Sequence, residues 1–448
     1  MSLLTESRHT LKLAFPLIIG QLSQMLLGVA DTMMIGKLGV TEMAVLTFAN
    51  SLFYVPFMFG IGILTSVSVF TANANGSGDE AAGRASCRNG MYVATVLGVL
   101  LFLGTMVLSW NLGIFRQPEQ VTVLTTSYYQ IIMASLIPGL MSVALKNHAD
   151  ALDRPWPPFW IFLWGVVLNV FLNWVMIYGK LGCPAMGLNG AAYATLISRV
   201  AILLGMVIWL HNGNGMREWT PYRWFRKAEP GEIRKFLGIG FPASIQMICE
   251  VSAFAAAGLM MGVFGETAMA AHQVALMCAA TAFMIPLGLS MALGVRIGSV
   301  SGAKQVERLR EIIVSGWLIG AIWSVLAVVF FLTCGKWLAA GFIDEAPVIA
   351  LASKILLVVG VFQLVDTLQV ASSSMLRSLH DTRVPAVIGF FAYWIVGVPV
   401  ALWMAVKLEW GAVGVWWGLA VGLFVASFIL GPRLWKLTKR EAATSDPA

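Results

Sequence analysis

Residues 11–36 read LKLAFPLIIGQLSQMLLGVADTMMIG, and residues 237–262 read LGIGFPASIQMICEVSAFAAAGLMMG. Each is an apolar run longer than the roughly 20 residues that a membrane-spanning helix needs. Each opens with a Phe-Pro pair, ends on glycine and holds one acid in its apolar interior, Asp31 in the first and Glu250 in the second. Sliding the chain on itself by 226 residues, without gaps, superposes Phe15-Pro16 on Phe241-Pro242 and Ile19 on Ile245. The same shift lays Gly36, Gly39, Thr41, Met43 and Ala44 on Gly262, Gly265, Thr267, Met269 and Ala270. It then matches Phe57-Met58 with Phe283-Met284, Gly62 with Gly288, and Gly76 with Gly302. The two runs head two copies of one repeat.

The composition agrees. Hydrophobic residues make up 58% of the 448 residues and charged ones 11%, against roughly 25% charged in soluble domains. A soluble chain could not bury that much apolar surface, so lipid is the solvent for most of it. The polar segment 1–10 is followed directly by the first run, which is too long for a signal-peptide core and reads as an uncleaved first span. Cys87, Cys183, Cys249, Cys278 and Cys334 form no CxxC pair and read as small core residues, neither a disulfide framework nor a zinc site. The net charge of +7 shows no basic stripe interleaved with aromatics, so no nucleic-acid partner is expected.

Runs of span length fall near 11–36, 45–70, 89–112, 122–145, 159–178 and 188–211, and again near 236–260, 271–296, 312–333, 347–377, 385–406 and 411–434. The termini and the loops after even-numbered spans hold 22 of the 29 Lys and Arg. The loops after odd-numbered spans hold only Lys37, Arg116, Lys180, Lys336 and Lys407, and Arg199 and Lys354 fall within spans. Cytoplasmic loops carry the excess of positive charge, so both termini are expected inside. The shift carries span 1 onto span 7, odd onto odd, so the repeats are parallel. The fold expected is an all-α integral membrane protein of twelve transmembrane helices in two parallel six-helix repeats. Its domains would be an N-terminal bundle 1–211, a basic cytoplasmic linker 212–235, a C-terminal bundle 236–434 and a cytoplasmic tail 435–448. Such repeats build transporters, with substrate and ion sites near the midplane.

Three acids lie deep within spans: Asp31, Glu250 and Asp366. Glu250 lies roughly 22 Å along its helix from Lys235, and Asp366 roughly 16 Å from Arg377. A charge at the centre of a membrane helix costs about 2.5–3.5 kcal/mol even on the lenient insertion scale. One such acid could serve as an interhelical hydrogen-bonding group, but three point to a pathway. Each can take up a proton, or stay ionised by holding a metal cation or a cationic substrate, and hard oxygens suit Na⁺ or H⁺. Exchange of an ion for a cation requires that set of options. The shift maps Glu250 onto Gln24, and Asp31 lies two turns beyond Gln24 on the same face. Asn169 and Asn173, four apart, share a face of span 5, and Thr195 lies on span 6 after Gly187-Leu-Asn-Gly190-Ala-Ala. Asn within a span is also common helix–helix glue. Arg199 reads as a neutralising charge with no transport role, and Asp381 and Arg383, before Pro385, read as the structural counterpart of the turn Asp153-Arg154-Pro155. The 17 Trp and 23 Met suit interfacial belts and adaptable packing.

Two six-helix halves, the span 1 sequence Gly28-Val-Ala-Asp31-Thr, the span 7 acid and Ala270-Ala-His272-Gln273-Val-Ala-Leu276 resemble multidrug and toxic compound extrusion (MATE) transporters. So does Asp366-Thr-Leu-Gln-Val, continuing to Leu376-Arg377, His380-Asp381 and Pro385. The resemblance covers nearly the whole chain, and Glu250 with Asp366 resembles the NorM-type branch. It implies that these two acids bind the coupling cation in the C-terminal bundle. It implies a counterpart site at Asp31, Asn169, Asn173 and Thr195 and places Gln273 near the substrate cleft, where Gln24, the repeat equivalent of Glu250, is expected with Glu250 and Asp31. Another branch carries Asp where this chain has Asn173, so this site has one acid fewer. Two bundles in a V and alternating access by rocking are the implied mechanism.

The expectation is therefore a secondary antiporter exporting cationic lipophilic compounds in exchange for Na⁺ or H⁺. It would be a monomer in the bacterial inner membrane, contacting lipid, with no cofactor beyond the coupling cation and no metal beyond Na⁺. A lipid-linked-glycan flippase of the same broad fold is the alternative, but its pyrophosphate cargo wants basic residues in the cleft. An intramembrane aspartyl protease lacks its GxGD motif here, no HExxH or serine elbow occurs, and a channel would want a repeated filter motif. No enzyme is expected.

Overall fold

The computed structural model describes residues 3–115, 117–224 and 229–445, with side chains throughout except Leu27, Val40 and 439–445. Arg116, Arg226 and Lys227, which entered the reading of sidedness, and tail residues 446–448 lie outside the described residues. Among the described residues, twelve helices are long and apolar enough to cross a membrane. They are α1 (Leu3–Gly36), α2 (Thr41–Ser77), α3 (Glu80–Ser109), α4 (Glu119–Ala151), α5 (Trp156–Tyr178) and α6 (Gly187–Asn212), then α7 (Pro230–Val263), α8 (Glu266–Gly302), α9 (Val306–Ala340), α10 (Ala346–Ser378), α11 (Arg383–Lys407) and α12 (Gly411–Thr438). Among the described residues there is no strand.

The helices outrun the apolar windows, mostly at polar ends. α1 begins at Leu3 where hydropathy suggested 11, and α3 spans Glu80–Ser109 where it suggested 89–112. Asp79 caps α3 by accepting from the Ala82 N–H at 2.9 Å, which starts that helix a full polar segment before its apolar part. α4 is interrupted at Ser135, between helical stretches Glu119–Ala134 and Leu136–Ala151.

The chain divides into two compact units, Ile19–Ser244 and Met1–Ile18 with Ile245–Ala448. The expected boundary at the linker 212–235 is therefore displaced: α1 and α7 are each divided along their length. The two breaks are equivalent, because the 226-residue shift carries Ile18 onto Ser244 and Ile19 onto Ile245. Packing within each unit explains them. In the C-terminal unit a Cβ on Gly288 would stand 2.8 Å from the Ile18 backbone. In the N-terminal unit a Cβ on Gly62 would stand 2.4 Å from Ser244 Cα, and Ser244 Oγ donates to the Phe59 carbonyl at 2.7 Å. Gly62 and Gly288 are thus repeat-related glycines with one task, close backbone approach of the second helix of one repeat to the half-helix that opens the other.

The first half of α1 is also fixed by charge. Glu6 is fully buried and ion-paired with Arg296 of α8, while Arg308 Nε of α9 donates to its other carboxylate oxygen at 3.0 Å. Arg296 further donates to the Glu6 carbonyl at 2.7 Å and to Thr10 Oγ1. In the N-terminal unit the repeat equivalent of Glu6, Glu232, pairs instead with Lys235 of its own helix at 2.9 Å, and the place of Arg296 is taken by Phe70, stacked on Phe236 with 5.0 Å between centroids.

Each unit has its own apolar core. Val45, Ala49, Leu64, Val67, Tyr129, Leu136 and Leu140 are among the residues centring the first. Ala257, Ala271, Ile355, Val359, Phe362, Tyr393 and Trp416 are among those centring the second. Of the cysteines, Cys87 and Cys278 are buried, but Cys183 is exposed, contrary to the expectation of a core residue, because it lies in the loop between α5 and α6.

Candidate functional site

In the N-terminal unit the polar group is built on α1, α5 and α6. Gly190 lets α6 close on α5, since a Cβ there would stand 2.7 Å from the Met176 carbonyl group. That approach brings Thr195 to Asn169, whose Nδ2 donates to Thr195 Oγ1 at 3.3 Å. Asn169 and Asn173, one turn apart, bond to each other at 3.1 Å. Asn173 Nδ2 then donates to Asp31 Oδ1 at 2.5 Å. Turning the Asn169 amide over adds a second donor to Asp31 Oδ1, at 2.9 Å, while its oxygen accepts from the Thr195 N–H. All four residues expected from sequence are therefore in one hydrogen-bonded chain. Asn169, Asn173 and Thr195 are buried and Asp31 is half-buried. Charge-assisted donors of this kind hold a carboxylate in one orientation.

Arg199 of α6 faces the same acid electrostatically. It is fixed by a 2.9 Å hydrogen bond to Ser135 Oγ, at the interruption of α4, and lies over the rings of Phe53 and Phe57 at 5.1 and 5.5 Å.

In the C-terminal unit the polar group is built on α7 and α10. Asp366 is 3% exposed, Glu250 is half-buried, and the two are within electrostatic reach of each other. One oxygen of Asp366, Oδ1, is buried and accepts no hydrogen bond. Gln246, one turn before Glu250, ties α7 to α10: its Nε2 donates to Ser373 Oγ and its Oε1 accepts from Arg377, both at 3.2 Å. Arg377 acts electrostatically on Glu250. Each unit thus carries an in-span acid with a fixed arginine in its field. Gln363, one turn before Asp366, donates to the Ala279 carbonyl at 3.1 Å, which leaves its Oε1 buried without a donor. Phe254, Phe362 and Trp416 form an aromatic trio with centroids 5.8 to 6.2 Å apart, Phe362 edge-on to both partners and Phe254 tilted on Trp416. Gln24 and Gln273, expected from sequence near substrate, are both exposed.

Sequence reading missed several charged groups. Glu6 and Asp150 are buried acids, the latter paired with Lys146 at 2.6 Å. His148, buried on the same helix as Lys146 and Asp150, shares a hydrogen bond with Thr71 Oγ1 at 3.0 Å. All three fall outside the apolar runs, because hydropathy windows end where polar residues begin. The signal available was charge of both signs at helical spacing, Lys146 and Asp150. Among the described residues no three His, Cys, Asp or Glu side chains converge as a metal site would need. A cation held here would rest on two carboxylates and neutral oxygens.

A family model described as MatE matches residues 16–175 and 242–403, one block in each repeat. A protein named probable multidrug resistance protein NorM, from Agrobacterium fabrum, is 33% identical over 446 residues, covering 98% of this chain and 95% of its own length. A protein of the same name from Burkholderia mallei is 34% identical over 448 residues, covering 98% and 94%. Among solved structures, a MOP superfamily transporter from Pyrococcus furiosus superposes with a TM-score of 0.89 at 20% identity, over 98% of this chain and 97% of that one. A mutant of a Vibrio cholerae MATE transporter gives 0.88 at 20% identity, over 98% of both chains.

Proposed function

Because this chain belongs to the MatE family, we propose that it is a multidrug exporter, a secondary antiporter that trades Na⁺ or H⁺ for cationic, lipophilic compounds. It is a multi-pass membrane transporter and not an enzyme. The observation that carries the coupling is the pair Glu250 and Asp366, two in-span acids within each other's field, one with an unbonded buried oxygen. Two carboxylates in a low-dielectric interior repel, and each isolated charge is expensive, so the pair wants a proton or a small cation. A cationic drug competes for the same negative field. Ion and drug then exclude each other, which is the thermodynamic requirement of exchange. Asp31, in its frame of Asn173, Asn169 and Thr195, gives the N-terminal bundle a second negative group. Alternating access would expose these groups to one side of the membrane and then the other.

The relatives named for multidrug resistance support an organic cargo. The acidic character of the in-span groups favours cations over the pyrophosphate of a lipid-linked glycan. The protein would sit in a bacterial inner membrane with both termini cytoplasmic, following its Lys and Arg distribution.

The test is ethidium efflux from sealed proteoliposomes under an imposed Na⁺ gradient and, separately, an imposed pH gradient. Glu250→Gln keeps size and hydrogen bonding but removes charge and titration. It should fold, insert and lose ion-driven efflux. Asp366→Asn should raise the ion concentration needed for half-maximal efflux. A Glu250→Gln protein pumping with unchanged rate and ion dependence would refute the coupling role.

A further inference from the structure

Helix α11 is not a uniform α-helix. Two stretches, Phe391–Gly397 and Trp403–Lys407, are π-helical, with α-helical Val398–Leu402 between them. The Val398 N–H reaches back five residues to the Tyr393 carbonyl, and Leu408 N–H likewise to Trp403. Pro399 has no N–H with which to continue the ordinary ladder. The wide turns are held by backbone contact with α12. A Cβ on Gly422 would stand 2.3 Å from the Ala392 carbonyl oxygen, and one on Gly418 would stand 2.2 Å from Ala401 Cα. Single π-turns inside α-helices recur at functional sites, because they re-aim a side chain at the expense of regular bonding.

The side chain re-aimed here is Tyr393. It is fully buried, and its hydroxyl has no hydrogen-bond partner. Tyrosine buried in a core ordinarily finds one. The groups in its electrostatic field are Glu250 and Asp366. The next residue, Trp394, donates from Nε1 to Ser252 Oγ at 3.2 Å, which fixes the π-turn against α7 two residues beyond Glu250. Tyr393 packs in the core that also holds Val365, the neighbour of Asp366 on α10, so a buried hydroxyl without an acceptor and a buried carboxylate oxygen without a donor lie on elements packed into one core.

We propose that Tyr393 is a third member of the C-terminal cation site: its buried hydroxyl, bonded to no protein group, offers its oxygen to an ion held by the Glu250–Asp366 pair. This rests on the assignment of those two acids to coupling. With two carboxylates and, among the described residues, no third acid or histidine converging, a hard cation needs neutral oxygens to complete its shell, and a phenol oxygen is one. The π-turn is the device that delivers it.

Three variants, in full-length protein in proteoliposomes, separate this proposal from the reading beneath it. Tyr393→Phe removes the hydroxyl and keeps the ring that packs the core. Trp394→Phe removes the neighbouring bond to Ser252 and leaves the hydroxyl. Glu250→Gln removes the acid. Ethidium efflux is measured against Na⁺ concentration and against an imposed pH gradient. Tyr393→Phe should raise the half-saturating ion concentration about tenfold, the effect of one hydrogen bond to a charged group, at a maximal rate within twofold of the parent. Trp394→Phe should leave the half-saturating concentration unchanged. If Tyr393→Phe has the parent's ion dependence while Glu250→Gln has lost it, the tyrosine is not in the site and the acids remain. Equal shifts in Tyr393→Phe and Trp394→Phe would assign the effect to helix geometry and overturn the proposal. If Glu250→Gln is also indistinguishable from the parent, the acids fall as a coupling site and the tyrosine with them.

Discussion

Asn173 donates its side-chain N–H to Asp31 Oδ1 at 2.5 Å, joining α5 to α1 through two polar groups that lipid would exclude. The bond sets the carboxylate's orientation and supplies part of the polarity that an ionised acid needs. Asn173→Ala should therefore lower efflux about tenfold at a subsaturating ion gradient, the effect expected for one charge-assisted hydrogen bond. Asp31→Asn keeps the amide chain connected and should fold well while still impairing transport, since its repeat equivalent is Ala257 and offers no substitute acid. Rates from both variants at matched expression check this. An Asn173→Ala protein with parental efflux at every ion concentration would make the contact mere helix glue.

The Glu6 cluster makes a stability prediction. Glu6→Gln leaves Arg296, itself 8% exposed, without its carboxylate, and also strips Arg308 of a partner. Breaking a buried pair on one side costs about 3–5 kcal/mol. Detergent-solubilised Glu6→Gln should show a clearly lowered melting temperature. Glu6→Leu combined with Arg296→Met should recover much of it, because removing both charges removes the unpaired one. A double variant less stable than Glu6→Gln alone would contradict this account.

Much of the architecture was legible before any coordinates, and the reason is lipid. Spans must be apolar and about 20 residues long, so the runs at 159–178 and 188–211 nearly coincide with α5 and α6. Asp31, Asn169, Asn173 and Thr195 stood out because polar residues in such runs are expensive. What stayed hidden depends on partners far along the chain. Glu6 reads as a terminal polar residue until Arg296 and Arg308, some 300 positions away, enclose it. Tyr393 reads as core packing, because no spacing rule marks a π-turn. The divided helices were half visible: Gly62 and Gly288 matched in the repeat, but only packing shows that they receive Ser244 and Ile18.

Cys183 offers a native probe of sidedness. It lies in the loop between α5 and α6, and it is exposed, whereas Cys87 and Cys278 are buried and Cys249 and Cys334 partly so. The loop follows an odd-numbered span, which the Lys and Arg distribution assigns to the outer face. A membrane-impermeant maleimide should label intact spheroplasts at Cys183, and Cys183→Ser should abolish most of that signal. Labelling that appears only after permeabilisation would invert the topology.

The seam between α11 and α12 makes the last prediction, and it links packing to the site. Gly414, Gly418 and Gly422 recur every four residues and so line one face of α12. A Cβ at each would stand 2.8 Å from Ala405 N, 2.2 Å from Ala401 Cα and 2.3 Å from the Ala392 carbonyl oxygen. All three contacts are to backbone, which cannot rotate away as a side chain can, so even one methyl must push α11 outward. The middle position is the tightest and lies between the two π-turns. Gly418→Ala should destabilise the protein by about 1–3 kcal/mol, the ordinary cost of overpacking. Gly104→Ala, where nothing lies within 4 Å of the added carbon, should be neutral or slightly stabilising and serves as the control. Displacing α11 also moves Tyr393, so a folded fraction of Gly418→Ala should show a raised half-saturating ion concentration in efflux. Melting temperature and ion dependence together decide it. Parental values of both in Gly418→Ala would mean that α11 can shift without cost, and that its π-turns are not held by this seam.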